Sequence, residues 1–397
     1  MKYRRFGQTE LQMPLLTCGT MRFQHKWQDV DPAEVPAKGQ ANLEAVMRRA
    51  LEQGINHFET ARGYGSSEMQ MGWVLRQLNR QDYILQTKTP PTKDPDDFLR
   101  RFDQSMDYLG VDQVDLLAIH GVNDQGGIDD TLKKGGALEK ALWLKEQGRV
   151  AHIGFSSHAP MPQLMPLIET NAFSFVNLHW YYIYPSNWPA VAAAAERDMG
   201  VLIISPNDKG GQLFKPSDKM RQLCAPLSPM AFNDLYCWAR PEVGTLSIGA
   251  ARPSDFDEHL AALERLEETN SLLPPILARL EAALLETHGP DWAVDWWEGI
   301  KPYYQQPGEV NVLEILRIWL YAKAFGLDGF GKSRYNMLGK GGHWFPGKKA
   351  EPKALGPVLA QLKGHKLAPA IAQALAEAHE LYDDHAVAAQ SGPRNSN

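Results

Sequence analysis

The sequence predicts an α/β fold, a parallel (β/α)8 TIM barrel followed by a C-terminal α-helical extension. Three observations predict it: short apolar runs alternate with longer amphipathic stretches, eight such pairs follow one another without a break, and the alternation stops near residue 268. A barrel of this kind often takes about 250 residues, so the chain has room for an appendage. We expect the barrel at 1–268, a helical domain at 269–389 and a disordered tail at 390–397.

The predicted strands are short apolar segments, and the predicted helices have the periodicity of amphipathic helices. The strands lie near 15–19, 55–58, 83–88, 114–119, 151–155, 174–179, 201–205 and 244–249. The barrel helices lie at 41–53, 67–79, 95–109, 136–147, 160–170, 187–198, 229–239 and 253–267. Prolines that open helices and glycines just past helix ends agree with this order. The unbroken series favours a closed barrel over an open sheet.

The C-terminal part has helical patterns of a different rhythm. They lie at 274–287, 309–325 and 366–382, with an aromatic and Gly-rich segment at 335–347. No strand pattern alternates with them. We therefore expect a helical appendage.

Composition excludes several classes of protein. The net charge of −6 and the isoelectric point near 6.1 give no electrostatic footprint for nucleic acid. The three cysteines are widely spaced, so they indicate neither a disulfide framework nor a CxxC metal site. No apolar run of about 20 residues occurs, and no secretory leader is recognisable. We expect a cytoplasmic protein without membrane contact, and the sequence leaves its oligomeric state open.

Four ionisable residues lie where predicted strands end. Glu59 ends the second strand, Lys88 the third and His120 the fourth, and Tyr64 lies in the loop after Glu59. The C-terminal strand ends of such a barrel converge on one site. A tyrosine is a weak acid near neutral pH, so we expect Lys88 to lower the pKa of Tyr64. With His120 as hydrogen-bond donor, the set predicts reduction of a carbonyl without a metal.

The same segment carries a family resemblance. Phe58 to Glu68 (FETARGYGSSE) resembles the aldo-keto reductase signature F-D-T-A-x-x-Y-G-x-x-E, and further similarity extends over 1–268. The resemblance implies a catalytic tetrad of Glu59, Tyr64, Lys88 and His120, with Glu59 in place of the family's aspartate. It also implies NADPH as cofactor, with NADH as the alternative, and a small aldehyde, ketone or sugar as substrate.

The resemblance further implies cofactor-binding residues. For the nicotinamide they are Ser156, Ser157 and Asn177; for the pyrophosphate, Ser205, Pro206 and Lys209; for the adenosine, Gly249, Arg252, Glu258 and His259, with Gly19 and Thr20 at the end of the first strand. Ile204 stands where a stacking tyrosine is usual. Asp255 replaces an expected Arg or Gln and would repel a 2′-phosphate.

The C-terminal extension resembles the iron–sulfur module that is fused to one branch of these reductases. The four ligand positions fall on Trp297, Ile300, Tyr303 and Gln306, none of which is a cysteine. The resemblance therefore implies a helical module without an iron–sulfur cluster. We expect it to pack against the barrel or cover its site.

Three other functions stay open at this point. A metal-dependent hydrolase could collect its ion with His57, Glu59, His120, His158 and His179. A Schiff-base aldolase could use Lys88, although it would leave Tyr64 without a role. A nucleotide-binding regulatory protein with little turnover would retain the cofactor site and lose the chemistry.

Overall fold

The computed structural model describes residues 1–292 and 296–384, so the predicted tail lies outside the described residues. The chain divides into two compact units. The first comprises Met1–Pro206 and Asn233–Thr269, and the second comprises Asn207–Phe232 and the chain from Asn270 onward. These units differ in one respect from the domains expected from the sequence, which place 207–232 in the barrel.

The first unit contains a short antiparallel hairpin and a closed parallel barrel. The hairpin pairs β1 (Tyr3–Arg5) with β2 (Gln12–Pro14). The barrel strands are β3 (Leu16–Gly19), β4 (His57–Glu59), β5 (Ile84–Thr89), β6 (Val114–Ile119), β7 (Val150–Ser156), β8 (Phe175–Leu178), β9 (Gly200–Ile204) and β10 (Thr245–Gly249). They pair in chain order, and β10 closes the barrel against β3. The predicted (β/α)8 fold class is confirmed.

Helices follow the barrel strands as the sequence predicts. They are α1 (Ala37–Glu52), α2 (Ser67–Leu75), α3 (Pro95–Leu109), α4 (Gln125–Leu132), α5 (Ala137–Glu146), α6 (Met161–Ile168), α7 (Trp188–Glu196), α8 (Pro206–Lys209), α9 (Asp218–Cys224), α10 (Pro229–Trp238) and α11 (Asp257–Glu264). The capping signals act as expected at α3, where the Asp94 side chain accepts a hydrogen bond from the amide of Asp96 and Gly110 ends the helix at a φ of 69°.

An apolar plug fills the N-terminal end of the barrel. It comprises Phe6, Met13, Ile84, Leu116, Ala118, Phe175 and Leu202. Gly200 and Gly244 make room for Phe6, because a Cβ at either position would lie within 2.6 Å of its ring. Further along the same inward faces the residues become polar, with Lys88 two residues beyond Gln86 and Asn177 two beyond Phe175. The chemistry therefore lies at the C-terminal ends of the strands.

Among the described residues from Asn270 to Asp384, the second unit is mainly helical. Its helices are α12 (Thr269–His288), α13 (Val312–Phe325), α14 (Asp328–Tyr335), α15 (Pro352–Gln361) and α16 (Ala368–Tyr382). The central α13 is almost entirely buried. In this unit Arg334 of α14 pairs with Asp208, and Trp319 of α13 donates to Glu377 of α16 at 3.1 Å. Over the described parts of the chain, every helix is too short or too polar to cross a membrane.

Candidate active site

Four side chains at the C-terminal ends of β4, β5 and β6 form one connected group. Lys88 Nζ forms an ion pair with Glu59, donates to the Thr60 carbonyl at 2.8 Å and lies 3.3 Å from the Tyr64 hydroxyl. The His120 and Tyr64 rings pack edge to face with centroids 5.7 Å apart. The structure thus brings together all four residues that the sequence places at the strand ends.

The longer side chain of Glu59 reaches two partners. One carboxylate oxygen pairs with Lys88, and the other accepts a hydrogen bond from Ser247 Oγ of β10 at 2.8 Å. Gly19 permits this contact, because a Cβ there would lie 2.6 Å from Ser247 Oγ. Sequence reasoning missed Ser247, and only its inward position on a strand could have suggested it. The carboxylate is therefore held between the third and the eighth barrel strands.

Burial controls the charges of this group. It raises the pKa of Tyr64 above its ordinary value of 10 and lowers the pKa of Lys88 well below its ordinary 10.5. The direction for Tyr64 is opposite to the one we expect from Lys88 alone, because the desolvation of the phenolate dominates. Tyr64 is consequently protonated at neutral pH, which is the form that can donate a proton.

The loop that carries Tyr64 is tightly constrained. Gly65 has a φ of +54°, and a Cβ there would lie 2.0 Å from the carbonyl oxygen of Lys26. The amide of Arg62 donates to the carbonyl of Lys88 at 2.9 Å. These contacts fix the distance between the tyrosine loop and β5.

Arg62 also anchors the loop through its side chain. Its guanidinium pairs with Asp29 and, at 2.7 Å, with the fully buried Glu68. Glu68 in turn accepts hydrogen bonds from Thr87 at 2.5 Å and Ser105 at 3.1 Å. The buried Glu68 carboxylate and these partners hold the tyrosine loop in place.

Two of the three candidate nicotinamide residues lie side by side. Ser156 of β7 is in register with Asn177 of β8. Asn177 is fully buried, and neither polar atom of its amide has a hydrogen-bond partner among the described residues. A buried amide in this state fits a ligand that offers both a donor and an acceptor, as a carboxamide does. The hydroxyl of the third residue, Ser157, already donates a hydrogen bond to the Val122 carbonyl at 2.6 Å.

The candidate pyrophosphate residues divide between the two units. Ser205 and Pro206 belong to the first unit, where Ser205 has a φ of +51°. Lys209 belongs to the second unit, and its Nζ lies 5.0 Å from the centre of the Trp344 ring. Burial, together with the charge of Arg334, lowers the pKa of Lys209 to about 7. The role of Lys209 stays a prediction.

The candidate adenosine residues lie around the start of α11. Asp255 accepts hydrogen bonds from the amides of Ala251, at 2.9 Å, and Arg252, at 3.3 Å, and it pairs with the Arg252 guanidinium at 2.7 Å. Gly249 and Glu258 are exposed. The Asp255 carboxylate thus occupies two backbone amides and the Arg252 guanidinium at the start of this segment.

His259, Gly19 and Thr20 are engaged inside the protein. His259 is buried and hydrogen-bonded to Asp234; burial lowers the pKa of His259, but Asp234 outweighs it and leaves it raised. Thr20 is buried and donates to the Glu59 carbonyl at 3.0 Å. Gly19 provides space for Ser247. Contact of these residues with a cofactor stays a prediction, and the burial of His259 against Asp234 argues against a direct role.

The side chains considered for a metal centre have other partners. His57 Nδ1 lies 2.7 Å from the Thr17 hydroxyl, Glu59 pairs with Lys88, and His158 contacts His179. Among the residues that the structure describes, no group of three or more His, Cys, Asp or Glu side chains could hold a metal ion.

A closed parallel (β/α)8 barrel with a lysine between a carboxylate and a tyrosine at its C-terminal rim is the arrangement that the resemblance of the Phe58–Glu68 segment implies. The model of the aldo/keto reductase family matches residues 15–223, which is more than half of the 397 residues. The chain therefore belongs to the aldo/keto reductase family, as the resemblance of the Phe58–Glu68 segment indicates.

Individual relatives are more distant. L-glyceraldehyde 3-phosphate reductase of Escherichia coli (strain K12) is 28% identical over 176 residues, which cover 40% of this chain and 46% of that protein. L-galactose dehydrogenase of Arabidopsis thaliana is 34% identical over 122 residues, which cover 28% of this chain and 37% of that protein. The chain thus matches less than half the length of these two relatives.

Solved structures share the fold. The holo form of an aldo-keto reductase from Bacillus halodurans superimposes with a TM-score of 0.55 at 22% identity. The match covers 68% of this chain and 96% of that one. At this identity the likeness establishes the barrel and leaves the chemistry to the site itself.

Proposed function

We propose that the protein is an NAD(P)H-dependent oxidoreductase that reduces an aldehyde, ketone or sugar carbonyl to an alcohol, or catalyses the reverse reaction. The observation that carries the proposal is the position of Lys88, whose ammonium lies between the Glu59 carboxylate and the Tyr64 hydroxyl. Membership of the aldo/keto reductase family supports it. Tyr64 is the general acid for reduction and the general base for oxidation.

The catalytic residues act on the carbonyl oxygen. The Tyr64 hydroxyl and the His120 ring are neighbours, so both can hydrogen-bond to one oxygen atom and polarise the carbonyl. The dinucleotide, when bound, supplies a hydride to the carbonyl carbon. Tyr64 then gives its proton to the developing alkoxide, and Lys88, at 3.3 Å, stabilises the resulting phenolate. Glu59, as the partner of Lys88 in the ion pair, favours the charged form of Lys88 against the effect of burial.

The cofactor assignment rests on the residues that would hold it. Asn177 has the unpartnered amide that suits a carboxamide, with Ser156 beside it. Ser205 and Pro206 are proposed for the pyrophosphate, and Gly249, Arg252 and Glu258 for the adenosine. NADPH is the proposed cofactor, and NADH is the alternative, which Asp255 favours because its carboxylate opposes a 2′-phosphate.

The substrate is proposed to be a small carbonyl compound related to sugars. The names of two relatives support this class, since one is an L-glyceraldehyde 3-phosphate reductase and the other an L-galactose dehydrogenase. We further propose that the protein acts in the cytoplasm and that its C-terminal helices are an iron–sulfur module without a cluster. Trp297, Ile300, Tyr303 and Gln306 offer no thiolate for iron.

The proposal is tested by following the oxidation of NADPH and NADH in the presence of aldehydes, ketones and sugars. We expect turnover with at least one compound and a higher melting temperature with the nucleotide. Nucleotide binding without any rate above the protein-free control would instead favour a nucleotide-binding regulatory protein. Absence of both turnover and a shift in melting temperature would refute the cofactor assignment.

A further inference from the structure

A second set of polar side chains lies inside the barrel, one step below the Lys88–Glu59 pair. We call it the lower polar layer; its members are fully buried and are Thr17, His57, Gln86 and Thr245. They stand two residues before Gly19, Glu59, Lys88 and Ser247 on the same strands, so they share the inward face of those residues. On the other side of the barrel, β6, β8 and β9 contribute apolar residues to the core instead.

Part of this layer is satisfied by its own hydrogen bonds. Thr17 Oγ1 lies 2.7 Å from His57 Nδ1 and 2.8 Å from Thr245 Oγ1. Burial and the charge of Lys88 lower the pKa of His57 to about 3, so the imidazole is neutral at neutral pH. In either neutral tautomer, His57 Nε2 remains as one donor or one acceptor that needs a partner of its own.

Other polar atoms of the layer and of Glu59 lack such partners. Among the residues that the structure describes, no hydrogen-bond partner reaches His57 Nε2, Gln86 Nε2 or Gln86 Oε1. The same holds for Glu59 Oε1, whose ion pair with Lys88 leaves it a second lone pair. Buried polar groups are costly when unpaired, and nearly all of them are paired with protein or with ordered water.

The strand register makes these three side chains neighbours. Gln86 of β5 is in register with Glu59 of β4. His57 is in register with Ile84, the residue two before Gln86 on the same inward face. Adjacent strands are about 4.8 Å apart, so His57, Glu59 and Gln86 border one small region between β4 and β5.

A water molecule has the donors and acceptors that this region needs. It can accept a hydrogen from the Gln86 amide and donate one to the Glu59 carboxylate. Its remaining capacity serves His57 Nε2 in either tautomer. Buried waters typically make about three hydrogen bonds to groups that the protein itself leaves unpaired.

We infer that the lower polar layer binds an ordered water between His57, Gln86 and Glu59, and that His57 and Gln86 are positioning residues for the proposed reaction. The water holds one side of the Glu59 carboxylate, while Ser247 Oγ holds the other oxygen at 2.8 Å. Glu59, fixed in this way, places Lys88 against the Tyr64 hydroxyl. The kinetic part of the inference rests on the proposed function, and the water site does not.

A crystal structure of the wild-type protein tests the water site without any need for turnover. We expect a density peak about 2.7–3.2 Å from the Gln86 amide and from His57 Nε2 or Glu59 Oε1. Gln86→Met keeps a similar volume and removes the amide, so the peak should be lost. Direct hydrogen bonding of Gln86 to His57 or Glu59, with no water among them, would overturn the inference.

Steady-state kinetics test the positioning role, with the nucleotide and the carbonyl compound that support turnover. Gln86→Met should lower kcat about three- to tenfold, because small displacements of catalytic groups slow the chemical step. KM and the Kd for the nucleotide should stay within about twofold, since neither ligand touches the layer. Gln86→Asn keeps an amide for the water and should restore most of kcat.

The matched control is Gln163→Met, which removes another buried glutamine of the first unit, on α6. It should leave kcat unchanged. Equal losses of kcat in Gln86→Met and Gln163→Met, or a wild-type kcat in Gln86→Met, would overturn the positioning role and leave the oxidoreductase assignment intact. If no carbonyl compound is reduced, the proposed function and the positioning role both fail, and the crystal structure still decides whether the water site exists.

Discussion

At the scale of the residue, Glu59 shows how a longer acid can fill the place of the family's aspartate. Its two oxygens contact Lys88 and Ser247, on opposite sides of β4 in the barrel wall. Gly19 leaves space for the Ser247 hydroxyl, because a Cβ there would lie 2.6 Å from Ser247 Oγ and 3.4 Å from the Glu59 carboxylate. The irregular residue of the signature therefore still orients the lysine.

Substitution of Glu59 tests this pairing. Glu59→Gln leaves the buried Lys88 without its counter-ion, so we expect a loss of about 3–5 kcal/mol in the free energy of unfolding, measured in urea. Glu44→Gln removes the partially exposed partner of Arg48 and should cost less than about 0.5 kcal/mol. Equal stability of the two variants would show that the Lys88 ion pair contributes nothing.

The pKa shifts of Tyr64 and Lys88 predict the pH dependence of reduction. Reduction needs protonated Tyr64 and charged Lys88, and both forms are lost as the pH rises. Burial raises the pKa of Tyr64 and lowers that of Lys88, so Lys88 deprotonates first and sets the alkaline limb below its ordinary 10.5. We expect kcat/KM for reduction to fall with rising pH on this limb.

Lys88→Arg provides the matched variant, because a guanidinium stays charged over the whole range. If Lys88→Arg retains measurable activity, the alkaline limb of its kcat/KM for reduction should move to higher pH. An unchanged limb would assign the titration to another group.

At the scale of the element, the sequence predicts the strands better than the loops between them. The second strand is expected at 55–58 and occurs at His57–Glu59, whereas α4, α8 and α9 are absent from the prediction. The strands are continuous apolar runs, which are easily recognised. At the start of α4 the Asp124 side chain accepts a hydrogen bond from the amide of Gly127 at 2.8 Å. The apolar periodicity of this helix is too short to be recognised in the sequence.

Strand β4 carries His57, whose protonation should make the free energy of unfolding depend on pH. Burial and the charge of Lys88 lower the pKa of His57 to about 3, against an ordinary value of 6.5. The contribution of neutral His57 to the free energy of unfolding is complete above about pH 6.5. It is lost as the pH falls towards 3, by at most about 1.4 kcal/mol per pH unit. Chemical denaturation between pH 4 and 7 should therefore show a smaller slope for His57→Gln than for wild type. His365→Gln should keep the wild-type slope, and an identical slope in His57→Gln would contradict the assignment.

The turn before α11 is the segment that we propose to govern the choice between NADPH and NADH. Asp255 accepts from the amides of Ala251 and Arg252 and neutralises Arg252. Asp255→Asn removes the charge, so we expect the ratio of the Kd for NADPH to the Kd for NADH to fall several-fold, as measured by quenching of tryptophan fluorescence. Asp257→Asn, two residues along, is the control and should leave the ratio unchanged. An unchanged ratio in Asp255→Asn would place the 2′-position elsewhere.

At the scale of the whole molecule, the sequence predicts the barrel and the four strand-end residues but not how the chain divides. The segment Asn207–Phe232 belongs to the helical unit, where Arg334 pairs with Asp208 and Lys209 faces Trp344. Partners that lie more than a hundred residues apart leave no local pattern in a single sequence. The same reason hides Ser247 as the partner of Glu59, 188 residues away along the chain.

The central claim is that Tyr64 donates the proton in carbonyl reduction. Its most direct test is a single-turnover measurement of nucleotide oxidation by wild type and Tyr64→Phe, with the carbonyl compound that the wild type reduces fastest. We expect the rate of Tyr64→Phe to fall at least about a hundredfold, the scale of a lost general acid, while the Kd for the nucleotide stays within about twofold. A Tyr64→Phe variant that reduces the carbonyl at the wild-type rate would contradict the claim.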